Sequence, residues 1–142
     1  MKYLILALLV LVGFGLYVRL APSDPARWHV DPETAAAPPG GSFRTQVQMQ
    51  VAPEAALTAF AARALDTPRT KVLAGSAAEG RITFVTRSRL WGFPDYTTVA
   101  AEAVPGGSQL TVLARLRFGA GDLGVNRARV EAWVQALQPM QR

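Results

Sequence analysis

The chain has 142 residues: 15 are Lys or Arg, 10 are Asp or Glu, one is His and none is Cys. Half of it is hydrophobic and 18% is charged, which fits one ordinary domain with an appendage and excludes a disordered chain. Without Cys there is no disulfide framework, thiolate-bound metal or thiol nucleophile, and a single His leaves no His-rich metal centre and little basis for a His-based triad.

Tyr3 to Val18 is an unbroken uncharged run between Lys2 and Arg19. Counted to Ala21, with Arg19 snorkelling, it makes roughly 28 Å of helix, close to the hydrocarbon thickness of a bilayer. Residues 1–21 therefore read as a single-pass transmembrane anchor. A cleaved signal peptide shares the basic start and apolar centre, but Tyr17-Val18-Arg19-Leu20-Ala21-Pro22 offers no small-x-small cleavage site. Lys2 on one flank and Arg19 and Arg27 on the other nearly tie under the positive-inside rule. A very short amino-terminal flank and a folded carboxy-terminal domain favour signal-anchor topology. The expected location is a bacterial inner membrane, with the domain on the periplasmic side of the cell envelope.

Residues 22–41 hold five prolines, two glycines and Ala35-Ala36-Ala37 without apolar periodicity, and read as an extended linker. Trp28 and His29 sit within it, either to touch the membrane interface or to lie on the folded domain. Residues 42–142 are enough for one core. Phe43, Val47, Met49 and Val51 alternate as a strand. Leu57, Phe60, Ala61, Ala64 and Leu65 then mark an amphipathic helix that stops before Pro68. Lys71 to Gly75 is a weak strand; Arg81 to Leu90, Tyr96 to Val104 and Gln109 to Phe118 are stronger ones. Pro105-Gly106-Gly107 joins the last two. After the Gly119–Gly124 loop, Asn126 is a credible helix cap, and Val130, Trp133, Val134 and Leu137 form a last apolar stripe. The predicted fold is α+β in two layers: an antiparallel sheet in the order β-α-β-β-β-β-α with two helices on one face, preceded by a transmembrane helix.

Two stretches carry more than periodicity. Arg87-Ser88-Arg89-Leu90-Trp91-Gly92-Phe93-Pro94-Asp95 follows R-S-R-x-x-G-F-x-D, and Gly119 to Glu131 follows G-x-x-D-L-G-x-N-R-x-R-[VI]-E. Together they resemble the family called domain of unknown function 1499, over roughly Ser42 to Leu137. The resemblance implies an exported or membrane-anchored protein of no established activity. It also implies that Ser88, Phe93, Asp95, Asp122, Gly124, Asn126 and Arg127 are motif positions. Tyr96 stands where many members have a second acidic residue, Leu116-Arg117-Phe118 replaces a common S-R step, and the early Cys of many members is absent.

Arg87, Arg89, Arg115 and Arg117 are the unusual feature. Pairs at i and i+2 leave a strand on the same side, so neighbouring strands would crowd four guanidinium groups that need carboxylates, an anion or solvent. Asp95 and Asp122 are the nearest carboxylates by motif. Two readings stand: Arg–Asp pairs pinning loops at a solvated face, or an anion site for a phosphate, lipid headgroup or acidic glycan. Asp122 to Arg127 reads as a helix-entry turn rather than a phosphate loop, because Asp122 repels phosphate and no Gly-Lys-Ser/Thr follows. Trp91 and Phe93 read as packing residues. No catalytic, cofactor-binding or metal-binding residue is assigned, and no cofactor is expected. The function expected is a membrane-anchored, non-catalytic binding or interaction module. The alternative is a small envelope enzyme using Asp95 and Asp122 with the arginines on an anionic substrate. Expected partners are the membrane and an anionic lipid or an envelope protein, and not nucleic acid.

Overall fold

The computed structural model describes residues 1–141, so Arg142, the last residue of the expected domain, lies outside the described residues. The elements are α1 (Lys2–Leu20), α2 (Pro25–Trp28), β1 (Ser42–Met49), α3 (Pro53–Leu65), β2 (Thr70–Ser76), β3 (Arg81–Arg87), β4 (Pro94–Val104), β5 (Gly107–Leu116), α4 (Val125–Gln135) and a 3₁₀ turn (Gln138–Met140). This is the predicted α+β order, with the strands starting or ending a few residues away from their predicted bounds. α1 is long and apolar enough to cross a membrane, and only Val18 along it is buried.

All five strands pair antiparallel in the order β1-β5-β4-β3-β2. Sequential hairpins build β2 through β5, and β1 joins the free edge of β5 because α3 carries the chain back across the sheet. One face, built from alternate residues, holds Met49, Ile82, Phe84, Val99, Leu110 and Val112. It packs on Leu57 and Phe60 of α3 and on Val130 and Trp133 of α4. Phe60, Phe84 and Trp133 form a mutually tilted aromatic trio with centroids 5.7–6.3 Å apart. The Trp133 indole N–H donates to Thr67 Oγ1 at 2.8 Å, which satisfies its one donor.

The opposite face of a two-layer sheet is ordinarily open to solvent. Here residues 22–41 lie on it. Trp28 is 5% exposed and stacks on Tyr96 at 3.9 Å with 12° between the rings, in a small cluster with Val85. The proline-rich stretch predicted as an extended linker is thus the covering of the second face. Proline content reports only that the segment pairs with no strand; it reports neither the short α2 helix nor whether the segment is packed. Asp24 caps α2 by accepting from Ala26 N at 2.9 Å.

Truncation of Trp28 separates a packed layer from a free linker. Trp28→Ala is expected to cost about 3 kcal/mol or more in chemical denaturation, as for other buried large-to-small changes. A change within about 0.5 kcal/mol, as at a solvated position, would mean the segment is detached.

Candidate functional site

The second face of the sheet is polar by sequence: Thr83, Tyr96, Thr98, Thr111 and Arg115 alternate outward from the helix side, and all but Arg115 are buried. A covering segment whose only regular element is the single turn of α2 brings unpaired carbonyls to such a face, and these must find donors. Arginines supply most of them. Arg115 Nη2 donates to Trp28 O at 3.1 Å, Arg117 Nη1 to Pro22 O at 2.7 Å, and Arg44 to the carbonyls of Pro32 and Ala35. Arg117 also donates to the Tyr96 hydroxyl at 3.2 Å, which contacts Ser23 Oγ at 2.6 Å.

A hydroxyl chain runs beneath Trp28. Thr98 Oγ1 donates to Trp28 O at 3.1 Å, so its single hydrogen is spent and it accepts from Thr83 Oγ1 at 2.8 Å. Thr83 then accepts from His29 Nδ1 at 2.8 Å. His29 is therefore the Nδ1–H tautomer, holding the segment to the sheet. Burial first, and the Arg81 charge second, push its pKa below the usual 6.5, against an opposing pull from Glu79.

The four arginines singled out from sequence separate into two groups. β4 lies between β3 and β5, so the strands bearing Arg87 and Arg115 are not neighbours. Arg115 and Arg117 line a cleft of about 400 Å³ with Arg27, Trp28 and the Pro38–Pro39 turn. The guanidinium groups of Arg27 and Arg115 each stand 5.0 Å from the Trp28 ring centroid. Arg115 Nε is buried without a hydrogen-bond partner, and burial, then the charges of Arg27 and Arg44, lower its pKa. Arg87 and Arg89 instead border a second cleft of about 370 Å³ with Arg19, Arg69 and Lys71. Arg89 lies past the end of β3 and is exposed.

The other motif residues build structure. Ser88 closes the first motif loop: its Oγ accepts from Phe93 N at 3.0 Å, while its N–H donates to Phe93 O at 2.9 Å. Arg87 Nη1 donates to Gly92 O at 2.8 Å across the same loop. Gly92 has φ +73, and a Cβ there would stand 3.0 Å from Arg19 Cγ, so this position suits glycine. In the second motif the predicted Asn126 cap is corrected. The N-cap position is Gly124 at φ +80, and Asp122 is the acceptor, with Oδ1 taking Gly124 N at 3.0 Å and Oδ2 taking Asn126 N at 2.7 Å. Asn126 is buried instead, donating to Gly41 O at 3.1 Å and accepting from Arg129 at 2.9 Å. Arg127 pairs with Glu131 on the surface and lies over Phe43 of β1.

Asp95 points to the helix side, where Arg129 Nη2 meets it at 3.3 Å with both side chains largely buried. Burial raises its pKa; Arg129 opposes and Asp122 adds to the rise. The sheet itself separates Asp95 from Arg115 and Arg117. Sequence reasoning missed Arg19, Arg27, Arg44, Arg69, Lys71 and Arg129. For Arg44 the available signal was its outward place on the β1 alternation; for Arg27 it was an aromatic neighbour in a segment otherwise poor in large side chains. Among the described residues no group of three acidic or His side chains could hold a metal ion.

These features define a class: a small α+β domain with an apolar amino-terminal helix, a strapped second sheet face and arginine clefts. The chain belongs to the family described as protein of unknown function (DUF1499), which it matches over residues 21–137. The match starts at Ala21 and so takes in the segment that covers the sheet. No curated protein matches the sequence. Protein CV1439 from Chromobacterium violaceum has a similar fold, with a TM-score of 0.52 at 15% identity over 68% of this chain and 94% of that one. An uncharacterised protein from Rhizobium leguminosarum aligns with a TM-score of 0.47 at 18% identity, covering 69% and 91%.

His29 gives this site a pH dependence of fixed sign. Its folded pKa is depressed, so its contribution to stability is full above about 6.5, the unfolded value, and is lost as pH falls through the lower folded value. Stability is therefore expected to fall on acidification below that point, and His29→Gln is expected to flatten the slope. The ring proton of this only His is expected to titrate below 6.5 by NMR.

Proposed function

We propose that the protein is a non-catalytic binding module, anchored by α1 in a bacterial inner membrane with its domain on the extracytoplasmic side, and that it takes an anionic group of its partner into the Arg27–Arg115–Arg117 cleft. One observation carries this reading. Three guanidinium groups border one cleft, and no carboxylate lies within ion-pair distance of any of them among the described residues. Backbone carbonyls satisfy some of their donors but neutralise no charge. Gathered cations without counter-charge favour an incoming anion, and arginine's planar fork suits a phosphate, sulfate or carboxylate.

The positions of the carboxylates support binding over acid–base chemistry. Asp95 is held by Arg129 and Asp122 by the backbone of the α4 entry, so neither faces the cleft. The anchored reading is supported by the exposed apolar surface of α1, which water would not tolerate on this scale. The extracytoplasmic placement follows the family resemblance, whose members are often exported.

Arg27 makes no side-chain hydrogen bond or ion pair among the described residues, so Arg27→Ala removes its charge and its place over the Trp28 ring but leaves every hydrogen bond that holds the covering segment. That variant is expected to bind inorganic phosphate, followed through the Trp28 indole resonance, about tenfold more weakly, or about 1.4 kcal/mol. Equal affinity in the two proteins would remove the cleft from the reading. Topology is checked separately: a reporter active only in the cytoplasm, fused after the last residue, is expected to be silent, and activity would place the domain inside.

A further inference from the structure

The second cleft leads to an inference that rests on the reading of α1 as a membrane span. The two motif loops do not stand clear of α1; they pack on its last turns. Phe14 meets Trp91 and Phe93 with ring centroids 6.4 and 6.2 Å apart, and Tyr17 meets Phe118 at 6.1 Å. Arg19 Nη2 donates to Leu90 O at 2.9 Å. Phe14 precedes the end of α1 by six residues, about 9 Å along the helix axis. Trp91, alongside Phe14, therefore lies well below the end of a spanning helix, at the depth of the boundary between headgroups and acyl chains. Its neighbour Leu90 is 77% exposed. A Leu-Trp pair at a loop tip is poorly placed in water and well placed at that boundary.

Next to this loop stands the cleft bordered by five basic side chains, Arg19, Arg69, Lys71, Arg87 and Arg89. None of the five is ion-paired among the described residues. Arg19, Arg69 and Arg87 spend donors on the carbonyls of Leu90, Arg87 and Gly92. These bonds fix their positions and leave their charges uncompensated. Lys71 and Arg89 are exposed, and their side chains make no hydrogen bond to a described residue. Arg69 holds its place at φ +60, a left-handed conformation uncommon outside glycine. The cleft thus combines five positive charges, no counter-charge and a position beside the membrane surface.

We propose that this cleft binds the phosphate of an anionic phospholipid from the same bilayer that α1 crosses, with Leu90 and Trp91 inserted beside the bound lipid. Arg87 and Arg69, strapped in place, orient toward one phosphate, while Lys71 and Arg89 close on it from the solvent side. The domain would then be held at a fixed tilt to the membrane.

The test uses the full chain in bilayer discs of phosphatidylcholine alone or mixed with phosphatidylglycerol, and native mass spectrometry to count retained lipids. The wild type is expected to retain phosphatidylglycerol at least tenfold over phosphatidylcholine. Lys71→Ala with Arg89→Ala is expected to lose that preference while keeping the near-ultraviolet signature of the Trp28–Tyr96 stack. Arg89→Ala alone, outside β3, is the second variant should the double one unfold, and is expected to show a several-fold reduction. Equal retention of the two lipids by the wild type, or an unchanged preference in the variants, overturns the proposal. So does displacement of the lipid by inorganic phosphate, which would make the cleft a free-phosphate site. Failure of the wild-type chain to enter either bilayer overturns the anchor reading, and this inference with it; insertion without lipid preference overturns only the inference.

Discussion

A five-stranded sheet with both helices on one side leaves a second face that the chain must cover, solvate or use. In this protein that face is closed by residues 22–41, held through Trp28 stacked on Tyr96 and through arginine donors on carbonyl acceptors. The arrangement answers one constraint. A segment with five prolines in 20 residues cannot form a ladder with the sheet, so its carbonyls reach the interior edge without partners. Long arginines on the outward positions of β1 and β5, and just past the end of β5, reach those carbonyls, and Thr98 and Thr83 complete the set beneath Trp28. Three features follow from this closure: where the Arg27–Arg115–Arg117 cleft opens, why Arg115 is partly desolvated, and why the only His is locked into one tautomer.

Electrostatics set this covering apart from a hydrophobic one. A carbonyl satisfies an arginine's hydrogen-bonding capacity without cancelling its charge. The formal excess is a modest +5 over the chain. Yet the only ion pairs among the described residues, Arg127–Glu131 and Arg129–Asp95, both belong to α4, and Asp95 lies on the helix side of the sheet. The cations on the second face and beside α1 are left bare. Bulk charge therefore says little about this protein, whereas the pairing pattern shows which cations stand without a counter-charge.

Much of the architecture was legible in the residues. Period-two alternation in β1, β3 and β5 and the Leu57–Phe60–Ala64 stripe of α3 fix element types because each depends on one buried face. The apolar helix and the two motifs were equally plain. What could not be read was pairing across the sheet. Arg87 and Arg115 look like partners until β4 is placed between them, and strand order depends on long-range contacts that no local pattern encodes. Of the two readings of Trp28 and His29, the structure shows the one that lays them on the folded domain, but what holds the proline-rich segment was hidden for a related reason, since its hold lies in Tyr96, Thr98 and Arg115, between 68 and 87 positions away from Trp28. Asn126 resembled a cap by residue type, but Asp122 four positions earlier reaches its N–H first, which frees Asn126 to be buried against Gly41.

The two faces of the sheet also divide the chemistry. Asp95 and Asp122 serve the helix side, where they fix α4 to β4 and to the start of α4 itself. Arginines serve the other side and the end near α1. A mechanism that paired Asp95 with Arg115 and Arg117 would require groups on opposite faces of one sheet to meet at a single substrate atom, and general acid–base transfer needs hydrogen-bond reach. Tyr96 of β4 faces Arg115 and Arg117 while its neighbour Asp95 turns the other way, so the alternation of the strand holds Asp95 and those two arginines on opposite faces. The same alternation that builds the core thus turns Asp95 toward Arg129 and α4 and turns Arg115 toward the covering segment.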